Sequence, residues 1–181
     1  MNKRLLTYGS LLLGAAAGTV LVLEATRRRT PTSQLNPTAP VRNKHTIRIE
    51  APAEQVWQVL SQINEWTAWQ PDLAYAHLHN QEPVQNGTRF DWSASGYLPI
   101  HSTLHTVEPG VAFGWSASAF GSFAVHNWRF SSQEGYTEVT SEETMEGWLV
   151  RLLQPIMQPA LNQANARWLD YLKQAAEQAK G

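Results

Sequence analysis

Hydrophobic residues form one unbroken run near the start of the chain and shorter, patterned segments after it. From Leu5 to Leu23 the sequence has no charged residue, and nineteen residues at about 1.5 Å each span roughly 28 Å, close to the thickness of a hydrocarbon core. Lys3-Arg4 precede this run, and Arg27–Arg29 follow it. We predict a single-pass membrane anchor over residues 1–29, with residues 5–23 in the bilayer. A signal peptide cleaved near Ala15–Ala17 and a soluble amphipathic helix are the alternatives.

The residues that flank the run indicate an orientation and a linker. The three arginines outweigh Lys3-Arg4, so the positive-inside rule favours a soluble domain on the cytoplasmic side. Residues 30–40 contain three prolines, three threonines and no charge, a composition typical of a semi-extended connection. The sequence therefore predicts a linker over residues 30–42 and one folded domain over residues 43–181.

Within the domain, the hydrophobic period changes twice. A short alternating strand (45–50) leads into two short helices, one opening at Ala51–Glu54 and one at 65–69. Strand-like segments follow at residues 74–79, 87–93, 98–107, 111–116, 123–131 and 136–145. Turn-forming residues separate them at Asn86-Gly87, Ser95-Gly96, Glu108-Pro109-Gly110, Phe120-Gly121 and Glu134-Gly135. From Gly147 the apolar residues recur every three or four positions, which indicates a long amphipathic helix bent near Pro155 and Pro159.

This order predicts an α+β fold in which a curved antiparallel sheet of about seven strands is covered by the long C-terminal helix. Hairpins cannot bury their inner face alone, and the C-terminal helix has the apolar stripe to cover it. We expect a cavity between helix and sheet unless large side chains fill it.

Charge and composition exclude several functions. Residues 41–181 contain nine Lys and Arg against fourteen Asp and Glu, and an acidic domain without a basic stripe is a poor binder of nucleic acid. The chain has no cysteine, which removes thiol chemistry and cysteine-bound zinc. His77 and His79 share a strand face, as do His101 and His105, but neither pair shows a third ligand at metal spacing. We expect no metal and no cofactor.

The ordered motifs of residues 43–178 resemble one superfamily, the START-related and birch-pollen-allergen-like helix-grip (SRPBCC) proteins. Within it they are similar to the polyketide cyclase/dehydratase and lipid-transport group. The motifs are APAEQVW at 51–57, WTAW at 66–69, NGT at 86–88, VEP at 107–109, GW at 114–115, HNWRF at 126–130, TEV at 137–139 and EE at 142–143. The resemblance implies a helix-grip fold with a shared cavity, and it leaves the activity open because the group includes carriers and enzymes.

Alternation along two strands points to candidate chemistry. His126 and Trp128 share one face of their strand, and Glu143 and Met145 share a face of the next. If these strands pair as a hairpin, His126 and Glu143 both face the cavity, where they could act as an acid and a base, bind a ligand or only satisfy each other. The full set of predicted ligand-binding residues is Trp69, Phe90, Trp92, Ile100, Trp115, His126, Trp128, Met145, Trp148, Leu152 and Ile156, with ordinary core packing as the alternative for each.

Three functions remain open from the sequence. The preferred interpretation is a monomeric, membrane-anchored, non-catalytic or weakly catalytic binder or carrier of a hydrophobic small molecule such as a lipid, isoprenoid or polyketide. A cyclase or dehydratase that uses His126 with Glu143 is the second. A protein-interaction module that resembles co-chaperone domains and uses exposed tryptophans is the third.

Overall fold

The computed structural model describes residues 29–79, 83–94 and 99–179. The predicted anchor at residues 5–23 lies outside the described residues. Among the helices that are described, none combines the length and the apolar character needed to cross a bilayer.

Seven strands form one antiparallel sheet in the order β1-β7-β6-β5-β4-β3-β2. Their bounds are β1 Val41–Ile49, β2 Leu73–Leu78, β3 Arg89–Ala94, β4 Ile100–Glu108, β5 Ala112–Ala119, β6 Ser122–Gln133 and β7 Tyr136–Glu146. Strands β2 to β7 follow one another as neighbours, and β1 pairs with the last of them. This arrangement confirms the predicted antiparallel sheet.

Helices pack against one face of this sheet. The short helices α1 (Ala53–Ser61) and α2 (Trp66–Trp69) connect β1 to β2, with a 3-10 turn at Ile63–Glu65 between them. The C-terminal segment forms α3 (Trp148–Leu152) and the 25-residue α4 (Gln154–Gln178). The two helices meet at Leu153, just before Pro155, which occupies the first turn of α4, where a missing backbone N–H costs little.

The second half of α4 holds the sheet through an aromatic core. Its buried residues are Asn165, Trp168, Leu169, Leu172 and Ala176. The ring of Trp66 lies 5.1 Å from that of Trp168 and 5.5 Å from that of Trp115, centroid to centroid. Phe90, Trp92 and Trp128 extend this cluster. Rings at these distances are in contact, so the hollow expected between helix and sheet is filled beneath this half of α4.

The first half of α4 is packed differently. Residues 154–164 include no buried side chain. They lie alongside the start of β1, where Gln158 bonds to Arg42 and Asn162 to Asn43. We call this end of the sheet the β5–β6 end, because it also carries the turn at Phe120-Gly121. The same end holds the last residue of β7, Glu146, and the start of β1 at Val41.

The segment that precedes β1 crosses the outer face of the sheet; we call residues 29–40 the strap. Its residues form no helix or strand, in keeping with an extended connection, but they are bound to three strands. The Ser116 hydroxyl donates to the Thr32 carbonyl at 2.8 Å and accepts from its N–H at 2.9 Å. Asn127 donates to the Ser33 carbonyl at 2.9 Å. Arg29 pairs with Glu146, so the strap begins at the β5–β6 end.

Candidate functional site

At the β5–β6 end, the inner face of the sheet changes from large to small side chains. Ala117 of β5 and Ala124 of β6 are register partners, and Ala124 is also opposite Met145 of β7. Further along, Trp92 pairs with Ile100. Met145, Trp92 and Ile100 are only partly buried. Two adjacent, buried alanines therefore replace the tryptophans that the same face carries elsewhere.

Four polar side chains, which we call the polar group, lie next to this apolar end: His126, Ser141, Glu143 and Asn165. His126 and Glu143 are directly opposite each other in the β6–β7 register, as the sequence predicts for a hairpin. The His126 Nδ1 atom lies 3.5 Å from the Glu143 Oε2 atom. His126 Nε2 and the Ser141 hydroxyl are hydrogen-bonded at 2.7 Å, and Asn165 of α4 donates to Glu143 Oε2 at 3.1 Å.

Burial sets the protonation of this pair. Removal from water lowers the pKa of the His126 imidazole to about 3 and raises the pKa of the Glu143 carboxyl to about 7. Both shifts favour the neutral form, because a buried charge loses its hydration. At 3.5 Å the two side chains are too far apart for a strong charge-assisted bond. We therefore describe His126 as neutral and Glu143 as an acid that holds its proton up to near neutral pH.

The direction of the hydrogen bond between His126 and Ser141 determines which of His126 and Glu143 carries the proton that lies between them. If the Ser141 hydroxyl donates to His126 Nε2, then Nδ1–H faces the Glu143 carboxylate. If Nε2–H donates to Ser141, then Nδ1 is a free acceptor that faces a protonated Glu143. The second arrangement matches the raised pKa of Glu143, and it makes this carboxyl a hydrogen-bond donor inside an apolar interior.

A row of amides connects the polar group to the surface along α4. Asn165 also donates to Asn43 Oδ1 at 3.3 Å, and Asn43 donates to Asn162 at 2.7 Å. One turn earlier, Gln158 donates to the Arg42 carbonyl at 2.9 Å and accepts from its N–H at 3.2 Å. The seam between α4 and the edge strand β1 is therefore polar, whereas the remainder of the helix–sheet contact is apolar.

The structure distributes the predicted ligand-binding residues over three places. Phe90, Trp115, His126 and Trp128 lie together in the buried interior. The half-buried members are Trp69, Trp92, Ile100 and Met145, which pack against this core. Contact of these residues with a ligand remains a prediction.

The third place lies outside the interior and concerns Trp148, Leu152 and Ile156. Trp148 packs on Phe120 with ring centroids 5.6 Å apart. Leu152 and Ile156 are 67 % and 68 % exposed, so the structure does not place them in the buried lining. The break at Leu153 resets the helical phase, and a single apolar stripe drawn through both helices therefore puts these two residues on the wrong face.

Two members of the polar group, Ser141 and Asn165, are missing from the sequence-based list. Ser141 shares its strand face with Glu143, so alternation alone could have included it. Asn165 heads a buried stripe with Trp168, Leu169 and Leu172, at the spacing i, i+3, i+4 and i+7. A single polar residue in an otherwise apolar helical stripe is the sequence signal that could have identified Asn165.

Two further polar features bear on the site. The indole N–H of Trp128 is buried with no hydrogen-bond partner among the described residues, and an unpaired buried donor is costly unless something binds it. On the outer face, a wide-open cavity of about 420 Å³ lies between the strap and the β1–β7 pair, lined by residues such as Leu35, Arg42 and Glu142. It lies on the opposite side of the sheet from His126.

The histidines on the outer face have an acidic neighbour, Asp91, which the spacing of the histidines did not predict. Asp91 accepts from His79 and His101, each at 2.8 Å, because β3 lies between their strands. These hydrogen bonds hold the pKa of the Asp91 carboxyl below its usual value although burial opposes them. Within residues 29–79, 83–94 and 99–179, no three His, Asp or Glu side chains are arranged to hold a metal ion.

A curved seven-stranded sheet closed over a long C-terminal helix defines the class of helix-grip, START-related SRPBCC proteins. Within that class, the chain belongs to the polyketide cyclase/dehydrase and lipid transport family, whose model matches residues 40–177. The match includes every described strand and nearly all of α4. Among curated proteins, none matches this chain in sequence.

Solved structures share the fold at low sequence identity. A hypothetical protein from Helicobacter pylori is 16 % identical with a TM-score of 0.67, over 82 % of this chain and 99 % of that one. The ZhuI aromatase/cyclase from a Streptomyces species is 15 % identical with a TM-score of 0.61, over 75 % and 93 %. A START superfamily protein from Mycobacterium smegmatis is 11 % identical with a TM-score of 0.58, over 75 % and 94 %. At such identities the likeness establishes the fold alone.

Proposed function

We propose that this protein is a membrane-anchored binder of a hydrophobic small molecule, held at the β5–β6 end between the inner face of the sheet and the first half of α4. The observation that carries the proposal is the polar group of His126, Ser141, Glu143 and Asn165 set beside small and half-buried apolar side chains. Apolar sites with a few convergent polar groups of shifted pKa are the common form of a small-molecule site.

The aromatic cluster limits where the ligand sits. Trp66 contacts both Trp115 and Trp168 beneath the second half of α4, and all three rings are almost fully buried, so that volume belongs to the core. The ligand then occupies the space above Ala117 and Ala124. Its apolar body contacts Met145, Ile100 and Trp92, and a ligand oxygen accepts from protonated Glu143 or from the Trp128 indole.

The proposed anchoring to the membrane supports this function. The ligands that fit an apolar space dissolve in the bilayer, and a chain tethered there meets them at a high effective concentration. The tether proposed is the uncharged segment 5–23, with the domain on the cytoplasmic side.

A photoreactive fatty acid that carries a diazirine tests the proposal. Membranes that contain the full-length protein are irradiated with the probe, and the cross-linked peptides are identified by mass spectrometry. We expect saturable labelling of peptides that contain Met145, Ala124 or Ile100, which excess unlabelled fatty acid suppresses. Labelling that does not saturate, or that is confined to residues 5–23, would contradict the proposal.

Variants sharpen this test. Ala124→Phe fills the proposed space from the inner face and should abolish the saturable labelling, and Met145→Phe provides a second, milder filling. Glu138→Phe places the same ring on the exposed outer face of β7 and should leave the labelling unchanged. Near-ultraviolet circular dichroism of the tryptophan core confirms that each variant is folded.

The geometry of His126 and Glu143 favours one second candidate, a cyclase or dehydratase. An acid with a pKa near neutrality beside a neutral imidazole can transfer a proton in either direction. His126→Ala separates the two: an enzyme loses turnover and keeps its affinity, whereas a carrier changes affinity modestly. The interaction-module hypothesis required exposed tryptophans. All eight tryptophans lie among the described residues, and each is buried or half-buried.

A further inference from the structure

We infer that the β5–β6 end of the domain is itself a membrane-contact surface, formed by Phe120, Leu152 and Ile156 and pressed onto the bilayer by the strap. This inference rests on the proposed anchoring through residues 5–23. It adds that the domain has one fixed face toward the lipid, the face at which the proposed ligand space lies.

Exposed apolar side chains are concentrated at this end. Phe120 is 53 % exposed, and Leu152 and Ile156 are more so. Phe120 lies in the β5–β6 turn, whereas Leu152 and Ile156 lie on either side of the α3–α4 break. Trp148, the first residue of α3, packs on Phe120 and lies against Gly121, so α3 begins in contact with the β5–β6 turn. Large apolar residues exposed side by side indicate an interaction site more strongly than scattered ones do.

The strap fixes where the chain enters the domain. Arg29 pairs with Glu146 and stacks over the Phe123 ring at 5.3 Å. Phe123 and Glu146 are register partners at the β5–β6 end, so the chain enters the domain next to the apolar residues. Only six peptide units separate Leu23 from Arg29, and even a fully extended chain covers at most about 21 Å over them. This end of the domain therefore stays close to the boundary of the hydrocarbon core.

The strap is hydrogen-bonded to the sheet, so the domain keeps a fixed position relative to Arg29. It makes hydrogen bonds to β5 through Ser116, to β6 through Asn127 and to β7 through Thr144. Ser116 and Thr144 are buried on the outer face. A linker attached at three strands holds the domain in one orientation, whereas a free linker would let it rotate.

Charge distinguishes the two ends of the sheet. Arg29, Arg42 and Arg151 lie at the β5–β6 end. The acids at this end are paired, Glu146 with Arg29 and Asp72 with Arg167. The opposite end carries the exposed carboxylates of Glu54, Glu108 and Glu134 beside the exposed Arg129, and its Glu50 is paired with Arg48. Anionic headgroups attract the first end and repel the second. The partner that fits this combination of arginines and exposed apolar residues is an anionic bilayer surface.

Fluorescent labels at single cysteines test this orientation, because the chain has no cysteine of its own. A polarity-sensitive nitrobenzoxadiazole label is placed by Leu152→Cys, by Ile156→Cys or by Phe120→Cys in the full chain. The matched control is Val111→Cys, an apolar residue of similar exposure (58 %) at the opposite end. The proteins are reconstituted in vesicles of phosphatidylcholine and phosphatidylglycerol, with and without a lipid that carries a nitroxide near its headgroup.

We expect the lipid nitroxide to quench the labels at 120, 152 and 156 several-fold more than the label at 111, with a blue-shifted emission at the first three. Equal quenching at 111 and 152 would overturn the inference. So would labels at 152 and 156 that are shielded from both the nitroxide and aqueous iodide, since the surface would then be covered by protein, either by residues 5–23 or by a second copy.

Flotation of the same vesicles separates this inference from the proposed function. A chain that fails to float with the lipid refutes anchoring itself. A chain that floats but shows no difference between 111 and 152 refutes only the orientation. Lowering the phosphatidylglycerol content should reduce the quenching at 152 while the chain still floats, because the arginines then lose their partner.

Discussion

The Glu143→Gln substitution removes a titrating carboxyl from the interior and leaves a side chain of nearly the same shape. Asn165 and His126 Nδ1 both face the Glu143 Oε2 atom. An amide oxygen at that position still accepts from Asn165, but it cannot donate to His126 Nδ1 as the carboxyl proton does. The variant therefore keeps the hydrogen bond from Asn165, gives up only the long 3.5 Å contact with His126 and loses the possibility of charge.

The pH dependence follows from the raised pKa. The folded carboxyl keeps its proton up to about pH 7, whereas an unfolded one releases it near 4.5. The folded state thus binds more protons between these values, and its free energy of unfolding falls as pH rises through this window. At about 1.4 kcal/mol for each pH unit, the loss in wild type approaches about 3 kcal/mol above the window. The variant does not lose this stability, because it has no carboxyl at position 143.

Urea unfolding followed by tryptophan fluorescence measures this difference in the full chain, since all eight tryptophans lie between Trp57 and Trp168. We expect Glu143→Gln to match wild type to within about 1 kcal/mol near pH 4.5 and to exceed it by about 3 kcal/mol near pH 8. Glu138→Gln, on the exposed outer face of the same strand, should show no such trend.

The opposite sign would refute the neutral pair. If Glu143 were ionised against an imidazolium, its folded pKa would lie below 4.5 and that of His126 above its ordinary value. Wild type would then be more stable than the variant, most clearly between the two pKa values. The lowered pKa of His126 makes stability rise with pH between about 3 and 6.5, but this contribution is common to both proteins and cancels in their difference to first order.

Three further changes test the packing and the strap. Trp66→Ala removes a fully buried ring whose indole N–H donates to the Leu60 carbonyl at 2.8 Å, and should cost about 3–5 kcal/mol in urea unfolding. Gly121→Ala places a Cβ within 2.8 Å of the Trp148 ring at a positive φ and should cost about 2 kcal/mol or more; Gly135→Ala, with the same sign of φ but open space, should cost about 1 kcal/mol or less. Ser116→Ala removes two hydrogen bonds to Thr32 and should weaken strap docking by about 1–2 kcal/mol, seen as faster proteolysis within residues 30–40.

Local signals predicted most of the fold. Four of the predicted breakers end in glycines that adopt positive φ, namely Gly87, Gly110, Gly121 and Gly135, where a side chain would be strained. Because the β6–β7 turn at Gly135 is tight, alternation from it sets the register that brings His126 opposite Glu143. The chain order, the helix-grip class and this pair were therefore accessible from the sequence.

Features that depend on contacts between distant parts of the chain could not be predicted from the sequence. The strap binds through Ser116 and Asn127, polar residues on an outer strand face where period two predicts solvent. The first turns of α4 follow a helix break that shifts Leu152 and Ile156 to the surface, and no periodic pattern encodes that shift. The degree to which tryptophans fill the interior depends on ring orientations, which composition does not determine.

Native mass spectrometry of the full-length protein, extracted from its membrane in mild detergent, tests ligand binding most directly. We predict that wild type carries one apolar molecule for each chain and that Ala124→Phe, extracted in the same way, does not. A wild-type chain that carries the same adducts as Ala124→Phe would contradict it.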